Sequence, residues 1–255
     1  MHWSTEAAVF LLLIGFGVGA FGTLIGAGGG FILTPILLLL YPHDSPRALT
    51  AISLTAVFFN AASGSVAYAR QRRIDYRSGL VFGAATLPGA VLGALAVNGV
   101  SRHAFDLIMG TVLALLAVWL LTGERFRASS PPRHRLVIGA GYSLIIGFLS
   151  SFLGIGGGVI HVPLLVRALG FPTHVATATS HFVLAIMAGT ATVTHVALGS
   201  FAHGHGVRRS IALSAGVVAG AQLGAHVSLR LRGAAIERLL ALALVALAVR
   251  LFVGA

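Results

Sequence analysis

The uncharged run from Ala7 to Tyr41 is 35 residues long, and that length constrains the fold more than any other feature of the chain. A bilayer crossing takes about 20 apolar residues. The run is too long for one span and too short for two full spans with a loop. Inside it lies Gly26-Ala27-Gly28-Gly29-Gly30-Phe31-Ile32-Leu33-Thr34-Pro35. The glycines fall where an intact helix would have to continue, and each costs about 1 kcal/mol relative to Ala in a helix interior. The spacing predicts a full helix, a glycine break at membrane depth, and a half-length helix starting near Phe31. Irregular backbone at that depth is tolerated only where protein buries it or where it lines a wet cavity. The break is therefore the first candidate for a functional site.

Composition places that break in a polytopic, all-α membrane protein. The chain is 57% hydrophobic and 9% charged, with a mean hydropathy of +0.95, which excludes an ordinary soluble domain. The formal charge of +11 does not point to a nucleic-acid partner, because the arginines gather in short segments between apolar runs. Arg70, Arg72, Arg73 and Arg77 form one such segment, and Arg125, Arg127, Arg133 and Arg135 another. Cytoplasmic loops have this look under the positive-inside rule. The expected surroundings are the lipid bilayer of a cell's inner (plasma) membrane, crossed several times. With no cysteine, disulfides, thiolate metal sites and cysteine nucleophiles are excluded. Met1 to Glu6 lacks the basic start of a secretory signal, so the apolar run behind it reads as a retained first span.

The halves of the chain repeat. Gly28-Gly29-Gly30 with Pro35 matches Gly156-Gly157-Gly158 with Pro163 at an offset of 128. Ser53 matches Ser180 at 127, and Gly89-Ala90-Val91-Leu92-Gly93-Ala94 matches Gly220-Ala221-Gln222-Leu223-Gly224-Ala225 at 131. We read one transmembrane domain over 1–255, with repeats at about 7–122 and 136–253 joined by a polar linker, 123–135. The expected content is about eight full helices plus two glycine-broken half-helices or re-entrant segments. If the broken segments are re-entrant, each half has four full spans and the copies are parallel. If each half-helix completes a crossing, the copies are inverted. Inversion is preferred because it lets both breaks meet near the midplane, a recurring plan of transporters.

Residue chemistry favours an anion at the breaks. Exposed amides at a helix start carry partial positive charge, and missing side chains let an anion approach the backbone. Gly28, Gly29, Gly30, Gly156, Gly157 and Gly158 are the candidate lining, with close helix packing as the alternative for any glycine-rich face. Pro35, Pro163, Gly93 and Gly224 read as structural. Thr50 and Ser53, like Thr179 and Ser180, begin the next helix of each half and offer hydroxyls to a substrate oxygen, to a cap or to a neighbouring helix. Asn60 is a polar amide in an apolar helix with the same options. Glu6, Asp44, Asp75, Asp106, Glu124 and Glu237 all lie at or near run ends, so no carboxylate opposes an anion at mid-span. His161, His181, His195 and His226 lie in apolar segments of the second half only, and an ionisable group there is a functional candidate. His161 and His181 flank the second break. His203-x-His205 reads as a wet loop rather than a metal site. No cofactor or nucleotide motif is present.

The two Gly-Gly-Gly…Pro motifs, Ser53, Thr179-Ser180 and the Gly-Ala-x-Leu-Gly-Ala repeats together resemble the sulfite exporter TauE/SafE family over nearly the whole sequence. The resemblance implies an inner-membrane carrier of about eight spans that moves sulfite, sulfonates or related small organic anions. Two positions depart from the family's Thr-Ser-Leu-like pattern: Ile52 replaces the first-half Thr, and His181 follows Ser180. The rival readings are an ion channel, a non-transporting scaffold, and an intramembrane hydrolase built on Ser180 and His181.

Overall fold

The computed structural model describes residues 4–122, 132–201 and 205–254. They form ten helices and no strand: α1 Thr5–Ile25, α2 Gly30–Leu40, α3 Pro46–Arg70, α4 Tyr76–Ala96, α5 Arg102–Thr122, α6 Pro132–Leu153, α7 Gly158–Ala168, α8 Thr173–Ala197, α9 Gly206–Ser228 and α10 Gly233–Gly254. Seven of them are long and apolar enough to cross a membrane, and α10 has 22 residues. The short helices α2 and α7 follow the two glycine breaks. The chain is a multi-pass, all-helical membrane protein.

Local chemistry sets the helix ends. Ser4, Ser45 and Asp75 accept backbone N–H bonds at the starts of α1, α3 and α4, occupying donors that a helix start leaves open. Gly26 ends α1 in the left-handed conformation, at φ 78°. In α7, Leu164–Ala168 wind as a π-helix directly after Pro163, whose missing N–H removes one bond of the ordinary ladder.

Helix directions follow from the side-chain bonds at the two ends of the bundle. At one end, Arg209 opposes Asp44, Arg47 bonds Leu198 and Ser200, and Arg102 bonds Leu38 and Pro42. At the other, Arg73 bonds His174 and Ser228, and Arg167 bonds Trp119 and Leu120. We call these the Arg47 end and the Arg73 end. Helix α1 packs parallel to α9, with Leu12, Phe16 and Ala20 against Gly216, Gly220 and Gly224 in turn. Helix α6 packs parallel to α4, with Leu144 and Phe148 against Gly89 and Gly93. Since α9 starts at the Arg47 end and α4 at the Arg73 end, α1 and α6 enter from opposite ends.

The five-helix order long, short, long, long, long thus recurs with its direction reversed. Each short helix runs from the middle of the bundle back to the end where its long partner entered. Re-entrance therefore goes with inverted copies in this fold, not with the parallel copies that four full spans per half would give. Because α1 and α2 together return to their starting end, only three crossings follow, and the second half begins inverted.

The duplicated Gly-Ala-x-Leu-Gly-Ala segments lie at the two crossed interfaces. A Cβ on Gly220 or Gly224 would stand 2.1 Å from the carbonyl oxygen of Phe16 or Ala20, and one on Gly93 would stand 2.3 Å from that of Phe148. These helices pack backbone to backbone, as small residues allow in membranes. Each half is therefore held chiefly by the other.

Two outcomes follow. Gly220→Ala is expected to lose about 1–3 kcal/mol of stability by overpacking, read as a lowered unfolding midpoint in detergent. Gly17→Ala and Gly141→Ala, where nothing lies within 4 Å of the added carbon, should not lower it and should gain up to about 1 kcal/mol from helix propensity. Arg70, Arg72, Arg73, Arg77, Arg167, Arg230, Arg232 and Arg238 outnumber Arg47, Arg102, Arg208, Arg209 and Arg250, so the positive-inside rule turns the Arg73 end to the cytoplasm. Reporters fused to either terminus should respond outside, and one inserted between Thr122 and Pro132 inside.

Candidate functional site

The two breaks touch at the centre of the bundle. A Cβ on Gly30 would fall 2.7 Å from the Ile155 carbonyl, and one on Gly158 would fall 2.3 Å from the Gly26 carbonyl oxygen. Only glycine allows this approach. Gly28, Gly29 and Gly156 have φ of 74°, 78° and 72°, a region that side-chain-bearing residues rarely adopt. Gly157 differs from its counterpart Gly29, at φ −65°.

Hydroxyls from each half serve the break of the other. Ser53 Oγ and Thr34 Oγ1 donate to the Gly154 carbonyl at 2.8 and 2.7 Å, and Ser180 Oγ donates to the Gly26 carbonyl at 3.3 Å. Gly26 and Gly154 are equivalent, as are Ser53 and Ser180. Of the options read from sequence, both serines thus take the bond to a neighbouring segment. Thr50 bonds back within its own helix, donating to the Arg47 carbonyl at 3.0 Å, and Thr179 accepts from the Asp75 N–H at 3.0 Å. Neither reaches the centre with its hydroxyl.

Val57 and Leu184 fill the space between the breaks. They occupy equivalent places on α3 and α8, two 25-residue helices offset by 127. Leu184 reaches toward Gly28 and Gly156, and Val57 toward Gly28, Gly30 and Gly156. Both side chains are buried, so the centre is packed shut in this conformation. Sequence reading missed the pair, since a Val and a Leu in apolar helices carry no signal of their own.

The histidines divide between two networks. His181 Nε2 lies 3.3 Å from Thr23 Oγ1, which donates to Asn60 Oδ1 at 3.1 Å; Asn60 in turn donates to the Gly19 and Val217 carbonyls. Tyr68 closes this network by donating to the Thr23 carbonyl and standing edge-on to the His181 ring. Asn60 thereby ties α1, α3 and α9 together below the break. On the other side, Ser143 Oγ lies 2.7 Å from the Gly139 carbonyl oxygen and 3.0 Å from His161 Nε2, with which it shares a hydrogen bond. His161 Nδ1 and the Ser150 hydroxyl, both next to Gly157, are buried without a hydrogen-bond partner. Ser180 and His181 serve different neighbours and do not form a dyad. His195 bonds Ser200 at the Arg47 end. His226 is exposed on α9, and His203 lies outside the described residues.

The described carboxylates, Glu6, Asp44, Asp75, Asp106 and Glu237, all lie toward the bundle ends. Around the breaks stand hydroxyls, an amide, imidazoles and backbone N–H groups. Among them the amides of Gly30 and Phe31 belong to the first turn of α2, whose intrahelical bonds begin at Ile32. The side-chain donors there already serve carbonyls and Asn60, so the open donors are backbone amides, and without fixed negative charge beside them they suit an anion. Near the mouth, burial lowers the pKa of Arg73, with Tyr68 acting in the opposite sense.

The model of the sulfite exporter TauE/SafE family matches residues 11–251. The chain belongs to this family. It is 26% identical to "Probable membrane transporter protein YunE" of Bacillus subtilis over 93% of this chain and 94% of that one. It is 29% identical to a probable membrane transporter protein of Methanocaldococcus jannaschii over 62% of this chain and 61% of that one. A probable membrane transporter protein of Xylella fastidiosa is 30% identical over 63% of this chain and 62% of its own. No solved structure matches. In TauE/SafE terms, the repeated glycine motifs that mark this sequence are the segments that meet at its centre.

Geometry separates two neighbouring glycines of the site. Gly158→Ala drives a carbon into the Gly26 backbone and should lower stability by about 1–3 kcal/mol. Gly157→Ala meets side-chain atoms at 3.2 Å or more and should unfold near the parent midpoint. Thermal unfolding of the two variants side by side checks the contact.

Proposed function

We propose that this TauE/SafE protein is a secondary transporter of a small anion, with sulfite or a sulfonate as the leading substrate class, in the inner membrane. The observation that carries the proposal is the meeting of two helix breaks from oppositely directed halves, each held by a serine of the other. Broken helices at an inverted-repeat interface are where carriers place substrate and where one set of elements moves against another. The helix-start amides, and the hydroxyls once they leave the carbonyls they now bond, supply hydrogen bonds to an oxyanion without an opposing carboxylate. Family membership and the printed names of the relatives support transport, and the name of the family supports sulfite.

In this reading Val57 and Leu184 block the centre in the present conformation. Separation of α3 from α8 would withdraw them and admit an anion to the amides. No carboxylate relay is available at mid-span, which leaves the histidines as the titratable groups near the breaks.

The test is anion flux into proteoliposomes, scanned over sulfite, sulfate, taurine-like sulfonates and carboxylates. Saturable sulfite or sulfonate flux is expected, with Ser53→Ala and Ser180→Ala each reducing the rate at least tenfold, an effect of about 1.4 kcal/mol. Equal rates in well-folded serine variants would remove the central site. Flux that does not saturate would favour a channel.

A further inference from the structure

Five arginines among the described residues donate hydrogen bonds within the bundle: Arg47, Arg73, Arg102, Arg167 and Arg209. Three of them have carboxylate partners. Arg102 pairs with Asp106, Arg167 with Glu237 and Arg209 with Asp44. The other two bond only neutral groups. Arg47 donates to Ser200 Oγ at 2.9 Å and to the Leu198 carbonyl. Arg73 donates to Gln71 Oε1, Ser228 Oγ and the His174 carbonyl at 2.9–3.1 Å, with His174 Nδ1 at 3.1 Å. Its Nε is buried with no partner, and its guanidinium lies 4.8 Å from the Tyr68 ring centre.

These two arginines occupy related places. At the offset of 127 that superposes α3 on α8, Arg47 corresponds to His174 and Arg73 to Ser200. The pair Arg47–Ser200 at one end and the pair Arg73–His174 at the other are therefore the same contact, repeated by the internal symmetry with donor and acceptor sides exchanged. Each ties an end of α3 to the opposite terminus of α8. Val57 and Leu184 sit midway along the same two helices, and Arg47 and Arg73 close the seam above and below them.

We propose that Arg47 and Arg73 are the two gate residues of the transport path, each latching its mouth in the closed state and recruiting the anion when the latch opens. The proposal rests on the anion-transport reading above. A guanidinium bonded to carboxylate has its charge answered; one bonded to a helix-end carbonyl and a hydroxyl does not, and an oxyanion offers it a stronger, charge-assisted partner. The anion thus competes with the acceptors on α8, and its capture releases α8 from α3 at that mouth. Both latches are made here, in keeping with the packed centre. An alternating carrier opens one at a time.

The chain has no native cysteine, so a single Val57→Cys reporter at the centre reads both mouths. In oriented vesicles, a membrane-impermeant thiol reagent is applied from one face and then the other. Arg47→Gln should raise the labelling rate at least fivefold from the Arg47 face only, and Arg73→Gln from the Arg73 face only. Arg70→Gln and Arg208→Gln, exposed arginines of equal charge, should match the parent. With sulfite as the probe, each glutamine variant should also raise the half-saturating concentration at its own face at least fivefold. Arg47→Lys and Arg73→Lys should recover most of that loss, because the charge remains. Elution of all variants as single species at the parent volume shows that they are folded. Labelling that stays at the parent rate in both glutamine variants, or rises equally from both faces, overturns the latches. Lysine variants as impaired as glutamine overturn recruitment by charge. A parent protein that moves no anion removes the transport reading instead, and the labelling result still decides the gates.

Discussion

Irregular backbone cannot face lipid, and in this protein two stretches of it stand at the middle of a membrane-spanning bundle. An unpaired N–H or C=O in hydrocarbon costs several kcal/mol, so each break needs protein around it on every side. The solution is mutual: each break is covered by the other, and each left-handed glycine offers its carbonyl to a serine from the opposite half. Contact this close requires both stretches to lack side chains. It also requires the halves to run in opposite directions, so that two short helices starting at the centre leave toward different ends.

The rest of the packing supports that meeting point. Helices α1 and α9 pack through a glycine face, and so do α4 and α6; both interfaces join one half to the other. The halves are interlocked and do not form two separable bodies. The antiparallel pair α3 and α8 runs unbroken from end to end through the centre and carries Ser53, Val57, Ser180 and Leu184. Relative movement of these helices is the simplest way to open a centre that is now filled.

The internal symmetry of the fold is not matched by symmetry of chemistry. Thr23, Asn60, Tyr68 and His181 form one bonded network below the first break. Beside the second, His161 bonds Ser143, and Ser150 is a buried hydroxyl without a partner. The backbone at Gly157 is also ordinary where that at Gly29 is left-handed. The two sides of the contact between the breaks thus present different groups.

Much of the fold was legible in the chain because bilayer thickness turns hydrophobic length into a measurement. An uncharged run of 35 residues with a glycine cluster announces a break, and its recurrence at an offset of 128 announces a second copy. Ser53 and Ser180 could be picked out for the same reason, since hydroxyls at repeated positions beside a break are rarely idle. Val57, Leu184, Thr34 and Ser143 could not, because they are ordinary residues until the other half is placed against them. The sequence by itself determined the helical class, the repeat, the broken segments and the absence of acidic groups from their neighbourhood. Only the tertiary structure decided that the half-helices turn back while the copies invert, that the breaks cover each other, and that Arg47 and Arg73 make symmetry-related contacts between α3 and α8. Those are relations between residues over 100 positions apart, set by packing rather than by local propensity.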